Sequence, residues 1–187
     1  MMEDQLLKWK LRRGSREALA QVYEKYIDSM LTLAIGLLGN RAAAEDVVQD
    51  VFLSFARSAG DLRLQGSLRS YLMTGVLNRV RDHRRRLGRQ VLRRDATSCV
   101  STEPMDPACE SVGPEQAAIL AEETARLGSA IAGLPEEQRE VVLLRLKANM
   151  KFRDIARLQQ TSTSTVLGRY RYGLDRLRAM LNGEVER

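Results

Sequence analysis

Apolar residues recur at intervals of three and four along most of this chain, which is the spacing of an amphipathic α-helix. In the first half, Ser15 is placed to cap the second of four predicted helices, which cover 3–13, 16–38, 42–57 and a stretch that begins near Ser67. After an interruption, four more helices are predicted over 115–132, 136–148, 152–159 and 163–181. The predicted fold class is therefore all-α.

The interruption from Gly88 to Pro114 differs in character from the helical segments on either side. It contains three of the four prolines of the chain, together with Ser, Thr, acidic residues and both cysteines. No helical periodicity survives there, and such a composition is typical of a connection between domains. We therefore predict two small helical domains, 1–87 and 115–187, joined by a flexible acidic linker over 88–114.

The fourth helix has one apolar side and one polar side. Its apolar side carries Leu68, Leu72, Val76, Val80 and Leu87, and its polar side carries Tyr71, Thr74, Asn78, Arg81 and Arg85. An exposed aromatic ring can stack on an unpaired base, amides and hydroxyls can bond to it, and arginines attract phosphate. A solvated helix face with a half-buried tyrosine explains the same pattern, so both interpretations stay open here.

The third helix has a polar side without compensating lysines. An acidic and amide strip runs along it, made of Glu45, Asp46, Gln49 and Asp50. A strip of this kind is either solvated or a docking face for a basic protein surface, because charges at the rim of an interface orient the partners and speed their association.

The last two predicted helices, a short one and a longer basic one, have the order and lengths of a helix-turn-helix. Ala156 fits the close crossing of the two helices, and Val166 is the expected buried residue. The outer face of the last helix carries Ser164, Thr165, Gly168, Arg169, Arg171 and Tyr172, next to Arg176. An αα-hairpin within a bundle is the alternative, and the basic flank favours DNA.

Charge is segregated along the chain, which has a net charge of +6. Residues 58–98 and 141–187 are strongly basic, whereas residues 99–140 are acidic. Two basic blocks on separate modules favour two contacts with one polyanion, joined by a segment that avoids it.

The chain offers little from which to build a catalytic or metal site. It has one histidine, His83, and two cysteines, Cys99 and Cys109, whereas a metal site needs about four ligands. No Gly-rich phosphate loop and no Ser/His/Asp set is present, so we predict a protein without a cofactor that is not an enzyme. No apolar run is long enough to span a bilayer and no export signal is visible, so a cytoplasmic location is predicted.

The ordered set of motifs resembles the extracytoplasmic-function (ECF) group of bacterial sigma factors. The resemblance rests on AEDVVQDVF at 44–52 and SLRSYL at 67–72 in the first module. In the second it rests on LPEEQREVVLLR at 134–145, FRDIA at 152–156 and STSTV at 162–166. It implies a subunit that directs core RNA polymerase to promoters and assists promoter melting, with an anti-sigma factor as a further partner.

The resemblance also implies roles for individual residues. Asp46, Gln49 and Asp50 match the helix that docks on the coiled coil of the largest polymerase subunit. Tyr71 stands where the family usually has Trp, and with Asn78 and Arg85 it would face the melted −10 strand. The loop 58–66 would receive a flipped base, and the last helix would read the −35 element through Ser164, Thr165, Arg169 and Arg171.

At two places the sequence departs from the residues that the family usually has, which limits the roles that can be transferred to this chain. Gln160 stands where the family usually has the turn glycine, and Leu167 and Gly168 follow the buried Val166. No −35 sequence is therefore transferred from relatives. The alternative function is a stand-alone helix-turn-helix regulator that binds duplex DNA without core polymerase. It gives no reason for the acidic strip.

Overall fold

The computed structural model describes residues 2–61, 67–91 and 114–182. Within those ranges the chain forms eight α-helices, one short 3-10 helix (Ala59–Asp61) and no strand, which confirms the predicted all-α fold. The α-helices are α1 (Met2–Arg12), α2 (Arg16–Leu38), α3 (Arg41–Ser58), α4 (Leu68–Val91), α5 (Pro114–Ala132), α6 (Glu136–Leu146), α7 (Phe152–Leu158) and α8 (Thr163–Leu181). Most of the loop 58–66, most of the linker and both cysteines lie outside the described residues.

Side-chain caps fix where four of the helices begin. The Ser15 hydroxyl accepts a hydrogen bond from the Ala18 N–H at the start of α2, as predicted. Asn40, Ser67 and Ser162 cap α3, α4 and α8 in the same way. Each cap satisfies an N–H group that has no partner within its own helix, and typically contributes about 1 kcal/mol.

The first module is built from α1 to α4. Four of the five residues predicted for the apolar side of α4 are buried, namely Leu68, Leu72, Val76 and Val80. The prediction for Leu87 was wrong, because this side chain is 47% exposed. The Arg84 side chain reaches the carbonyl of Leu37, at the end of α2. Leu87 lies about one turn further along α4, so it is already beyond the end of α2.

The second module is built from α5 to α8, and α7 with α8 forms the helix-turn-helix. Ile155, Ala156 and Val166 are buried between its helices, as predicted. The sequence did not predict a second close approach, between α8 and α6. A Cβ built on Gly173 of α8 would lie only 2.8 Å from Cγ2 of Val142 on α6. The absent side chain at position 173 lets α8 lie directly against α6.

The two modules pack against each other. Buried side chains of both belong to one continuous apolar core. A Cβ built on Gly36 of α2 would lie 2.9 Å from Cδ1 of Leu143 on α6, so the helix backbone of one module touches a core leucine of the other. Arg81 and Arg84 of α4 also pair with carboxylates of α6.

The turn of the helix-turn-helix gives a first testable prediction. Gln160 has a φ of 52°, in the left-handed region where a side chain costs about 1–2 kcal/mol. Changing Gln160 to Gly should stabilise the chain by about 0.5–1 kcal/mol, the relief of strain being partly offset by the greater freedom of the unfolded chain. Urea unfolding of both proteins measures this difference, and a less stable variant would contradict it.

Candidate nucleic-acid and protein interfaces

A groove between α3 and α4 brings together three of the five residues proposed for the −10 strand. Its volume is about 480 Å³, and its wall on α4 carries Tyr71, Thr74 and Asn78. The Tyr71 ring packs against Phe55 at 6.0 Å between centroids, and 39% of the residue stays exposed. The tyrosine is therefore held from one side and open on the other, which is the geometry of a stacking platform.

The amide of Asn78 points to solvent at this groove. Asn78 is exposed, and its side chain makes no hydrogen bond within the ranges that the structure covers. Arg85 lies two turns further along α4, exposed, and 3.6 Å from Asp82. Both side chains are therefore accessible to a ligand that runs along α4.

Arg81 does not join this groove. Its guanidinium group is turned towards the second module, where it makes two hydrogen bonds to the carboxylate of Glu140, at 3.0 and 2.6 Å. The structure thus separates Arg81 from the other four residues proposed for the −10 strand.

The groove also contains a cation that the sequence did not single out. Arg57, near the end of α3, is exposed and lines the groove opposite Tyr71. It lies seven residues after Asp50, which lines the same groove, so two full helical turns place both on one side of α3. The seven-residue spacing from Asp50 could have indicated from the sequence that Arg57 lies on this face of α3. At this position the Arg57 guanidinium group is suitably placed to bind a phosphate.

The acidic strip on α3 is exposed along its whole length, and arginines neutralise part of it. Glu45 pairs with Arg41 at 2.9 Å, and Asp50 pairs with Arg79 of α4. The strip has no compensating lysines, and arginines pair with these two carboxylates instead. Asp46 is exposed and has no ion pair among the described side chains, so it offers the least neutralised charge of the strip.

The start of α8 presents a polar and basic surface. Ser164, Thr165, Arg171 and Tyr172 are exposed, and Tyr172 reaches 71%. Gly168 lies between them, with open space around its Cα. A helix of 19 residues that presents hydroxyls in its first turn and a guanidinium group about two turns later on the same face is suited to a DNA major groove.

Arg169 differs from these neighbours, because it contacts the protein itself. It donates a hydrogen bond to the side-chain oxygen of Gln159 at 2.8 Å and lies 3.5 Å from the Glu137 carboxylate. The structure thus divides the residues proposed for the −35 element into an exposed group and one internally paired arginine.

No helix among the described residues is long and apolar enough to cross a membrane. The folded chain is an all-α protein with two modules. One has an aromatic groove beside a basic helix, and the other has a helix-turn-helix with a basic recognition helix.

Comparisons with known proteins match both modules. Residues 22–90 match the family described as Sigma-70 region 2, and residues 124–177 match Sigma-70, region 4. The RNA polymerase sigma-H factor of Pseudomonas aeruginosa is 28% identical over 173 residues, covering 89% of this chain and 88% of that protein. The ECF RNA polymerase sigma factor SigK of Mycobacterium ulcerans is 25% identical over 173 residues, covering 92% of this chain and 90% of that protein.

Solved structures show the same fold. The sigma factor RpoE of Bartonella quintana, in complex with the anti-sigma factor NepR, aligns with a TM-score of 0.69 at 21% identity. The alignment covers 90% of this chain and 98% of that one. This chain belongs to the ECF group of RNA polymerase sigma factors. Its partners are therefore core RNA polymerase and promoter DNA.

Proposed function

We propose that this sigma factor divides promoter recognition between its two modules. The first, over 1–87, docks on core polymerase and captures the melted −10 strand, while the second, over 115–187, reads the −35 element as duplex. The observation that carries the proposal is the groove in which Tyr71 and Asn78 stay exposed on one wall. An intact duplex offers no accessible base face, so such a groove suits a base that has left the stack.

The proposed mechanism at the −10 element is binding without catalysis. Tyr71 stacks on an unpaired base, Asn78 and Thr74 bond to its edge, and Arg57 and Arg85 attract the backbone. Base–aromatic stacking contributes about 1–3 kcal/mol per base, which offsets the cost of unstacking and favours the open bubble. The subunit acts in the cytoplasm without a catalytic site or cofactor of its own.

The proposed docking surface for core polymerase is the strip of Glu45, Asp46, Gln49 and Asp50. Its exposure and its surplus of negative charge favour a basic partner. Because the related RpoE structure contains an anti-sigma factor, we also propose that this chain is regulated by a protein of that kind.

One experiment tests the proposal as a whole. The chain is mixed with core polymerase and a library of genomic fragments, and transcript start sites are mapped with and without the chain. New start sites that share two upstream elements are expected. A stand-alone regulator would instead bind duplex DNA tightly by itself and leave the start sites of core polymerase unchanged.

The recognition helix gives a further prediction. Changing Arg171 to Ala removes an exposed guanidinium group without disturbing an internal contact, so it should weaken duplex binding by about 1–3 kcal/mol. Binding of the reconstituted holoenzyme to a promoter, followed by fluorescence anisotropy, measures the loss. Changing Arg178, near the other end of α8, to Ala removes the same charge together with an exposed ion pair to Asp175, and it serves as the control. Equal losses from both changes would contradict a specific role for Arg171.

A further inference from the structure

A basic groove lies between the two modules, where the start of α4 faces α7. Its volume is about 590 Å³, which is within the range typical of small-molecule sites. Its polar lining comes from α4, from α7 and from the residue before α7, and includes Arg69, Ser70, Thr74, Lys151, Arg153 and Arg157. Of the described residues proposed above for polymerase or DNA, only Thr74 lines it, so the basic groove is a separate candidate site.

Positive charge dominates this lining. Four cationic side chains surround the basic groove, against one carboxylate, that of Asp154. Arg69 lies on the α4 side, and the other three cations lie on the α7 side. Because these like charges repel one another, the groove favours a ligand that carries several negative charges.

The cations on the α7 side are largely available to a ligand. Lys151 and Arg153 are exposed, and neither has an ion pair or a side-chain hydrogen bond with the described residues. Arg157 lies 3.7 Å from Asp154, but its side chain is 72% exposed. An ion pair so open to water is weak, so the single carboxylate neutralises little of the charge.

The α4 side supplies a fixed cation and two hydroxyl groups. The Arg69 guanidinium lies over the Tyr26 ring, 5.6 Å from its centroid, and donates a hydrogen bond to the carbonyl of Ala148 at 3.3 Å. A guanidinium group has five N–H donors, so most of them stay available. Ser70 and Thr74 are half-buried, and Thr74 makes no side-chain hydrogen bond with the described residues. Donors therefore line both sides of the groove.

We propose that the basic groove binds a small polyphosphate, either inorganic or carried by a nucleotide. Guanidinium and ammonium groups match phosphate oxygens in charge and in hydrogen-bonding geometry, and hydroxyls donate further bonds to the same oxygens. The bound anion contacts both modules, because its ligands come from α4 and from the α7 side.

A polyphosphate in the basic groove also acts on the neighbouring groove between α3 and α4. Thr74 lines both grooves, so the ligand places negative charge beside the groove proposed for the −10 strand. Like charges repel, so the ligand weakens the capture of a single strand there. This consequence, unlike the binding itself, rests on the proposed function.

Isothermal titration calorimetry of the full chain with sodium tripolyphosphate at low salt tests the binding. Lys151→Gln with Arg153→Gln should lower the affinity about 5- to 30-fold, because two ligand contacts are lost. Arg12→Gln with Arg16→Gln removes two exposed charges outside the groove and should change the affinity by less than about twofold. Equal losses, or no binding by the wild type, would overturn the site. Far-UV circular dichroism checks that both variants stay folded.

The contribution of α4 is tested by adding a negative charge to its side of the groove. Ser70→Asp lies in the first turn of α4, where a carboxylate is favourable for the helix, so the fold should be kept. It should lower the affinity for tripolyphosphate at least about fivefold. Ser129→Asp, at an exposed position on α5, is the matched control. If both variants bound alike, the contact with both modules would be overturned.

Further ligands identify the source of the phosphate. A nucleoside triphosphate that binds more tightly than tripolyphosphate, with the same sensitivity to Lys151→Gln with Arg153→Gln, assigns the site to a nucleotide, and the reverse order assigns it to an inorganic ion. A single-stranded oligonucleotide that loses as much affinity in this variant would overturn the small-anion site and assign its cations to the DNA backbone. Unchanged binding of a −10 oligonucleotide at saturating tripolyphosphate would overturn the effect on the neighbouring groove. Start-site mapping with the holoenzyme tests the proposed function separately.

Discussion

Changing Asp46 to Ala is expected to lower the affinity of this sigma factor for core RNA polymerase by about 30- to 150-fold. Asp46 is exposed and unpaired among the described side chains, so its charge is available to a basic partner. Removing one member of a desolvated charge pair at an interface costs about 2–3 kcal/mol, most of it in faster dissociation. Surface plasmon resonance with immobilised core polymerase measures both rates.

Asp28 on α2 supplies the matched control, because it is an exposed aspartate outside the strip. Asp28→Ala should leave the affinity for polymerase within about twofold of the wild type. Asp50 is less informative, since its replacement also leaves Arg79 without its partner. If Asp46→Ala bound polymerase as tightly as Asp28→Ala, the proposed docking surface would be wrong.

Changing Tyr71 to Ala is expected to lower the affinity of the holoenzyme for a promoter with an unpaired −10 strand by about 5- to 150-fold. The ring is held by Phe55 and open on its other side, so its loss removes a stacking platform worth about 1–3 kcal/mol. Adding Asn78→Ala should increase the loss, because the amide can bond to the same base. Forked DNA probes and fluorescence anisotropy measure both effects.

Tyr71→Trp and Tyr71→Phe separate stacking from other causes. Both variants keep an aromatic ring against Phe55, so both should keep most of the affinity. Binding to fully paired upstream duplex should change little in any Tyr71 variant. A loss that appears equally with Phe and with Ala would assign the effect to the hydroxyl and contradict the stacking role.

The helices of this chain are predictable from its sequence because each buries one side against its own module. The predicted bounds of α8, 163–181, are those observed, and its cap at Ser162 is a local signal. The prediction for α6 extended two residues too far, to 148 instead of Leu146. There the chain turns away through Asn149, whose φ is 48°.

The direction of several charged side chains was not predictable, because it depends on residues far away in the sequence. Periodicity placed Arg81 on the polar side of α4, but its partner Glu140 lies 59 residues further on, in the other module. Asp50 likewise pairs with Arg79, 29 residues away. Helical spacing defines a face of a helix and carries no information about what later packs against that face.

The groove could be predicted only in part. Tyr71 and Asn78 were identified from their shared face on α4, whereas the opposite wall with Arg57 required the packing of α3 against α4. The packing of the two modules against each other had no signal in the sequence, because it depends on contacts between residues far apart in the chain, such as Gly36 and Leu143. The need for a glycine at position 36 is visible only in the folded structure, where Leu143 of the other module packs against its backbone.

The division of labour between the modules is tested most directly by a thermodynamic cycle between side chains and promoter elements. Holoenzymes with wild-type chain, Tyr71→Ala or Arg171→Ala are titrated with an identified promoter, with a version scrambled at −35, and with a version lacking one base of the −10 strand. Energetic coupling is expected only between Tyr71 and the −10 base and between Arg171 and the −35 element. Coupling of Tyr71 to the −35 element as strong as to the −10 base would contradict the division of labour.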